Sequence, residues 1–157
     1  MKKCCVVGLG YIGLPTAAVI AESEHEVIGL EINHKIIDLV KSGKAHFQET
    51  NLNQLLLKVI NSGSLRPVIN IEPSDIFIIT VPTPLKNDNK KIPTPDISYV
   101  VDAANTIAEV IKKNDLIIIE STCPVGTSEK IHNLIDNKTS LKKDEFFVDY
   151  CPERVIP

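Results

Sequence analysis

Long apolar runs are missing from this sequence. No stretch approaches the ~20 apolar residues that a helix needs to cross a bilayer. Two lysines followed by an apolar run stand near the beginning, as in a signal peptide, but Gly8 and Gly10 interrupt that run within a few residues. We therefore expect a soluble protein with no membrane among its partners.

An excess of positive charge is missing too. The 17 lysines and arginines stand against 20 aspartates and glutamates, which gives a formal net charge of -3. This balance gives no electrostatic reason to expect nucleic acid or an anionic membrane as a partner. Any nucleotide that the protein binds must therefore be recognised by a local site.

Grouped metal ligands are also missing from the sequence. The four cysteines form no C-x-x-C pair and no metal-type array with the four histidines. We therefore predict no metal site, and a reducing, cytoplasmic setting for the protein. The cysteines are Cys4, Cys5, Cys123 and Cys151.

Short aliphatic runs alternate with segments of helical spacing along the chain. Residues 4–7 are continuously apolar and end at glycine, which is typical of a strand buried on both faces of a parallel sheet. Further strands are predicted at 27–30, 67–71, 76–79, 116–119 and 146–148. Helices are predicted at 14–23, 36–41, 52–60, 98–111 and 127–135. This order predicts an α/β fold, a Rossmann-type doubly wound parallel sheet, in a single domain over residues 1–157.

A proline-rich segment follows the strongly apolar run at 76–79. Its prolines are grouped around a polar stretch at 86–91, which predicts a loop. Open α/β sheets bind their ligands at the carboxyl ends of strands, so the segment is a candidate substrate or cofactor loop. A solvated connection explains its charged part equally well.

The residues after the first predicted strand form a G-x-G-x-x-G motif. It lies between a predicted strand and a predicted helix, the context in which this pattern indicates dinucleotide binding. We expect Gly8 to allow a tight turn, Gly10 to let the backbone approach a pyrophosphate, and Gly13 to permit close packing of helix on strand. The N–H groups at the helix start would face the phosphates.

Glu31 ends the second predicted strand, eighteen residues after Gly13. An acidic side chain there accepts hydrogen bonds from the adenine ribose hydroxyls and repels the additional phosphate of NADP. We therefore predict NAD as the cofactor, although Lys35 nearby weakens that repulsion. The alternative interpretation is an ordinary glycine turn followed by an exposed glutamate.

Four motifs in order connect the chain with a known family. They are GLGYIGLPT at 8–16, VPTP at 81–84, ESTCPVGT at 120–127 and CPERV at 151–155. With them the whole chain resembles the N-terminal NAD-binding domain of the UDP-glucose/GDP-mannose dehydrogenase family. Within that family the resemblance is strongest to members that oxidise UDP-N-acetyl-D-mannosamine.

The resemblance implies an activity and a set of site residues. Family members oxidise the C6 alcohol of a UDP-sugar to the carboxylate with two NAD, by way of a cysteine thiohemiacetal, and the complete enzyme is expected to be a homodimer or a higher oligomer. NAD contacts are implied for Tyr11, Ile12, Glu31, Thr83 and Thr122.

Two of the implied residues would act in catalysis. Thr122 would act through an ordered water, and Glu153 would serve as a general acid/base, while Arg154 and Val155 would contact the nucleotide sugar. A carboxylate beside developing charge is a plausible proton carrier if burial raises its pKa. On the residues alone, the alternatives are that Glu153 is a surface carboxylate and Thr122 a cap at a strand end.

The sequence departs from the family pattern in two respects. Residues 48–52 lack the proline that commonly follows the glutamate, and the sequence stops at Pro157, before the family's UDP-binding and dimerisation parts and its nucleophilic cysteine. None of the four cysteines fits that role. We therefore expect the 157 residues alone to bind NAD without turnover.

Other interpretations remain open on the sequence. A UDP-glucose 6-dehydrogenase would carry similar motifs. A hydroxyacid dehydrogenase would explain the glycine motif and not CPERV, and a module that binds NAD without chemistry would need no further domain.

Overall fold

Strands and helices alternate along the part of the chain that the structure describes. The structure, a computed structural model, describes residues 1–86 and 93–152. The strands are β1 (Lys3–Val7), β2 (Glu26–Leu30), β3 (Leu65–Val68), β4 (Ile76–Ile79), β5 (Leu116–Ile119) and β6 (Phe147–Tyr150). The helices are α1 (Gly13–Glu22), α2 (His34–Lys41), α3 (Leu52–Asn61), α4 (Ser98–Ile107) and α5 (Thr127–Lys138).

All the strands named above pair in parallel in a sheet of order β3-β2-β1-β4-β5-β6. The predicted Rossmann-type doubly wound sheet is therefore confirmed. From β1 the chain winds towards β3, and from β4 it winds the other way towards β6. The order thus reverses between β1 and β4, and the crevice at the carboxyl ends of these two strands is where such sheets bind ligands.

The core consists of two layers of buried side chains. Because successive side chains of a strand point to opposite faces, Cys5 and Val7 pack in one cluster with residues of α4 and α5. Cys4 and Val6 pack in the other cluster with residues of α1 and α3. Burial on both faces explains the uninterrupted apolar run of β1, and it raises the pKa of the Cys5 thiol to about 12.

The third strand lies earlier in the sequence than predicted. It was expected at 67–71 and is found at Leu65–Val68. The carbonyl of Ser64 accepts a hydrogen bond from Val27 of β2, and that of Val68 accepts one from Glu31, directly after β2. Backbone groups alternate in direction along a strand, so Pro67 turns its nitrogen to the open edge, where a missing N–H costs no ladder bond. Pairing with β2, which ends at Leu30, sets these limits.

The ends of the last elements also differ slightly from the prediction. Helix α4 ends at Ile107, before the expected residue 111, because its final turn tightens through bonds such as that from the N–H of Val110 to the carbonyl of Ile107. Helix α5 extends to Lys138, and β6 begins at Phe147, opposite Leu116 of β5. Within the described ranges, no helix has the length and apolar character needed to cross a membrane.

Candidate functional site

The G-x-G-x-x-G motif forms the turn from β1 into α1, at the point where the strand order reverses. Gly8 has φ +97°, a left-handed conformation that side chains other than glycine rarely adopt. A Cβ added at Gly10 would meet no atom within 4 Å, so this position faces open space. A Cβ added at Gly13 would overlap the carbonyl oxygen of Gly8 and the hydroxyl of Thr80. The motif therefore combines a turn, an open approach and a tight packing contact.

Helix α1 begins directly after this turn. Its N-cap residue is Ile12, and no side chain caps the helix there. The first N–H groups of a helix have no partner inside the helix, and together with the helix dipole they favour an anion. The open space at Gly10 and this uncapped helix start suit the pyrophosphate of a dinucleotide.

Glu31 lies directly after β2 and bridges two loops. Its Oε2 accepts a hydrogen bond from the N–H of Leu9, at 3.0 Å, and its Oε1 accepts one from the N–H of Asn33, at 2.9 Å. Asn33 in turn caps α2 by accepting a bond from the N–H of Lys35. The carboxylate is thus fixed beside the glycine turn. Its remaining lone pairs leave it able to accept hydrogen bonds from ribose hydroxyls.

Tyr11 projects from the glycine turn and is 49% exposed. Its ring stacks on Phe47, with centroids 4.2 Å apart and an interplanar angle of 20°. The edge of His46 also contacts Phe47. Sequence reasoning missed Phe47, because it precedes α3 in an unpatterned segment; the scarcity of aromatic residues is the only signal that singles it out.

Two buried hydroxyls join the strand ends, and sequence reasoning missed both. Thr80, directly after β4, lies with its Oγ1 2.7 Å from the carbonyl oxygen of Gly8 and 3.0 Å from that of Val7. Ser121, after β5, donates to the carbonyl of Val81, at 2.6 Å. A hydroxyl residue one or two positions after a buried strand is the signal that could have identified them.

The other predicted NAD contacts lie on the loops that these hydroxyls hold. Thr83 is half-buried and Thr122 is exposed. The bond between Ser121 and Val81 places their two loops side by side at the carboxyl edge of the sheet. Glu153, Arg154 and Val155 lie outside the described residues.

Glu120 adds a carboxylate at this edge that the sequence analysis quoted only as part of a motif. Its Oε2 lies 3.4 Å from the hydroxyl of Thr16, near the start of α1. The end of β6 reaches the same edge, where the N–H of Cys123 donates to the hydroxyl of Tyr150 at 3.4 Å. Burial raises the pKa of the Cys123 thiol. The carboxyl edge thus gathers groups from β1, β2, β4, β5 and β6.

The proline-rich segment closes on itself at its base. Leu85 and Pro95 form an antiparallel bridge, and the N–H of Lys86 donates to the carbonyl of Thr94 at 2.8 Å. The predicted polar stretch at 86–91 falls almost entirely on residues 87–92, outside the described residues. Among residues 1–86 and 93–152, no group of three or more His, Cys, Asp or Glu side chains could hold a metal ion.

Comparisons with known proteins agree with this geometry. A UDP-N-acetyl-D-mannosamine dehydrogenase from Campylobacter jejuni is 43% identical over 99% of this chain and 40% of its own length. An NDP-N-acetyl-D-galactosaminuronic acid dehydrogenase from Ralstonia nicotianae is 42% identical over 99% of this chain and 38% of its own length. The structure of UDP-D-ManNAc dehydrogenase from Pyrococcus horikoshii matches with a TM-score of 0.91 at 42% identity, over 99% of this chain and 37% of that one.

These relatives are much longer than the chain, which spans about two fifths of the length of the curated proteins named above. Residues 2–157 match the UDP-glucose/GDP-mannose dehydrogenase family, NAD binding domain. The resemblance inferred from the four motifs is therefore confirmed, and with it NAD as the cofactor. The chain belongs to the UDP-glucose/GDP-mannose dehydrogenase family, as its NAD-binding domain.

Proposed function

We propose that the glycine turn and the start of α1 bind the pyrophosphate of NAD, with Gly10, Tyr11 and Ile12 closest to it. Gly8 and Gly13 shape the turn from within. This proposal is supported by the open space at Gly10 and by the absence of a capping side chain at the start of α1. Backbone N–H groups at such a helix start stabilise phosphate charge.

Glu31 would bind the hydroxyls of the adenine ribose. Its position beside the glycine turn, fixed by the N–H groups of Leu9 and Asn33, supports this role. Thr83 and Thr122 would contact NAD from the neighbouring loops. By the family resemblance, Thr122 would also face the reacting sugar together with Glu153, and Arg154 and Val155 would contact the nucleotide sugar.

The whole protein would oxidise the C6 alcohol of a UDP-sugar to a carboxylate, with UDP-N-acetyl-D-mannosamine as the first candidate substrate. The observation that carries this proposal is the 43% identity with the Campylobacter jejuni dehydrogenase over 99% of the chain. Bound NAD supplies the hydride acceptor. This chain's residues would hold that acceptor at the carboxyl edge of the sheet, where Thr122 lies in the loop that follows β5.

A second candidate substrate is a nucleoside-diphosphate sugar of the N-acetylgalactosamine series. The 42% identity with the Ralstonia nicotianae dehydrogenase supports it almost equally. Both candidates carry an N-acetylated hexose on a nucleoside diphosphate, so they share one class of reaction.

The substrate assignment is tested by following NADH absorbance with purified whole protein. We expect UDP-N-acetyl-D-mannosamine to be oxidised with two NADH formed per sugar, and UDP-glucose to be a poor substrate. The 157-residue chain alone should give no turnover. Holding the reacting groups in a near-attack geometry contributes ~7–11 kcal/mol to barrier lowering, and the chain spans only 40% of the relative's length. Preference for UDP-glucose would contradict the proposal, and preference for the N-acetylgalactosamine sugar would select the second candidate.

The role of Glu31 predicts a preference for NAD over NADP. The carboxylate repels the 2′-phosphate of NADP, so we expect calorimetric titration to give a Kd for NAD at least about tenfold lower, or about 1.4 kcal/mol. Glu31→Gln should reduce this preference. Glu109→Gln, an exposed glutamate in the turn after α4, serves as the control and should leave it unchanged. Equal affinities for both dinucleotides in the unmodified chain would exclude Glu31 as the ribose ligand.

A further inference from the structure

The peptide group between Gly8 and Leu9 is held at both ends. Its carbonyl oxygen, from Gly8, accepts a hydrogen bond from the hydroxyl of Thr80 at 2.7 Å, the shorter of that hydroxyl's two contacts; the other is with the Val7 carbonyl at 3.0 Å. Its N–H, from Leu9, donates to the carboxylate of Glu31, at 3.0 Å. In a trans peptide these two groups point in opposite directions. The peptide is therefore fixed between a residue after β4 and a residue after β2.

Thr80 is itself fixed. It is 8% exposed, and its N–H donates to the carbonyl of Val7, which continues the ladder between β4 and β1. Its hydroxyl occupies the space beneath α1 that a side chain at Gly13 would need. The Leu9 side chain is also fully buried. The sheet thus determines where the Thr80 hydroxyl lies, and the hydroxyl determines where the Gly8 carbonyl points.

We propose that Thr80 is a positioning residue for NAD: it holds the Gly8 carbonyl towards β4, which directs the Leu9 N–H to Glu31 and leaves the turn open at Gly10 for the pyrophosphate. This proposal rests on the proposed binding of NAD by the glycine turn. It adds a link between the pyrophosphate site and the ribose ligand, because the same peptide group serves both. Thr80 itself does not contact the cofactor in this arrangement.

The test compares Thr80→Val, which removes the hydroxyl and keeps the shape, with Thr80→Ser, which keeps the hydroxyl. Calorimetric titration of the 157-residue chain should show the Kd for NAD about tenfold higher in Thr80→Val, which corresponds to about 1.4 kcal/mol. Thr80→Ser should stay close to the unmodified chain. The preference for NAD over NADP should also fall in Thr80→Val, since Glu31 loses its fixed partner.

Thr139→Val serves as the matched control. The Thr139 hydroxyl donates to the carbonyl of Ile135 at 2.9 Å, at the end of α5, and accepts from the N–H of Leu141 at 3.2 Å. Its loss therefore removes a similar donated bond, and one accepted bond, at the amino edge of the sheet. Both valine variants should lower the unfolding temperature measured without NAD. Only the Thr80 variant should lower the affinity for NAD. If Thr80→Val does not fold, Thr80→Ala takes its place, with the same expected result.

Three outcomes would overturn the proposal. A folded Thr80→Val with unchanged NAD affinity would show that the hydroxyl does not position the turn. Equal weakening in Thr80→Ser, which keeps the hydroxyl, would show that the loss of affinity does not depend on the hydroxyl. If Gly10→Val binds NAD normally, the glycine turn is not the pyrophosphate site, and this proposal fails together with the proposed function. Loss of binding in Gly10→Val alongside normal binding in Thr80→Val overturns only the role of Thr80.

Discussion

Replacing Gly10 by valine is expected to abolish measurable NAD binding while the chain remains folded. An added Cβ at Gly10 meets no atom within 4 Å outside its two chain neighbours, so we expect the fold to accommodate the side chain. The same open space is where the pyrophosphate would approach the backbone, and the branched side chain would fill it. We expect the Kd for NAD to rise by roughly 100-fold or more, about 2.8 kcal/mol at 1.4 kcal/mol per tenfold.

Calorimetric titration measures this loss, and thermal unfolding without NAD provides the control for the fold. Gly10→Ala should bind NAD with intermediate affinity, because its single methyl group intrudes less. Normal NAD binding by a folded Gly10→Val variant would exclude the glycine turn as the pyrophosphate site. Loss of the cooperative unfolding transition in Gly10→Val would instead mean that the fold itself needs the space at Gly10.

Replacing Gly13 by alanine, in contrast to Gly10→Val, is expected to act on the fold, with a large loss of stability. The added methyl group would overlap the carbonyl oxygen of Gly8 and the hydroxyl of Thr80, so α1 would have to move away from the strands. Overpacking of this kind costs about 1–3 kcal/mol and sometimes more, against a gain of up to about 1 kcal/mol from the higher helix propensity of alanine. We expect a net loss of about 2 kcal/mol, or roughly 4–8 °C in Tm for a domain of this size.

Thermal and denaturant unfolding without NAD measure the Gly13→Ala effect. Gly10→Ala is the matched control, since it makes the same chemical change in the same motif at a position with open space. Equal stability of the two alanine variants would show that the close contact at Gly13 relaxes at no cost. The two glycines thus separate the binding role of the motif from its packing role.

The fold was predictable to the extent that local patterns determine it. The apolar runs at β4 and β5 were placed at their observed limits, because strands buried on both faces leave an unbroken aliphatic signal. The limits of β3 were misplaced, because they depend on pairing with β2, which no local pattern reveals. Edge strands carry a weaker signal, and here a proline obscured it.

The candidate site was predictable in its motifs and not in its supporting contacts. The positions of the glycine turn and of Glu31 follow from spacing within one strand, turn, helix and strand. The bond from Thr80 to Gly8 joins residues 72 positions apart, and the ring contact of Tyr11 with Phe47 joins two separate loops. Such contacts exist only once the sheet order is known. Glu153, Arg154 and Val155 stay predictions.

The position of β4 beside β1 also bears on when the glycine turn can take its final shape as the chain is synthesised. The first 61 residues contain the glycine motif, Glu31 and three helices, and all of them precede β4 in the order of synthesis. Long-range strand pairing is the slow part of folding, because chain entropy must be lost before the contacts form. The turn receives its Thr80 bond only when β4 inserts beside β1. A chain synthesised only as far as α3 therefore contains the complete glycine motif but lacks the strand end whose Thr80 hydroxyl bonds to the turn.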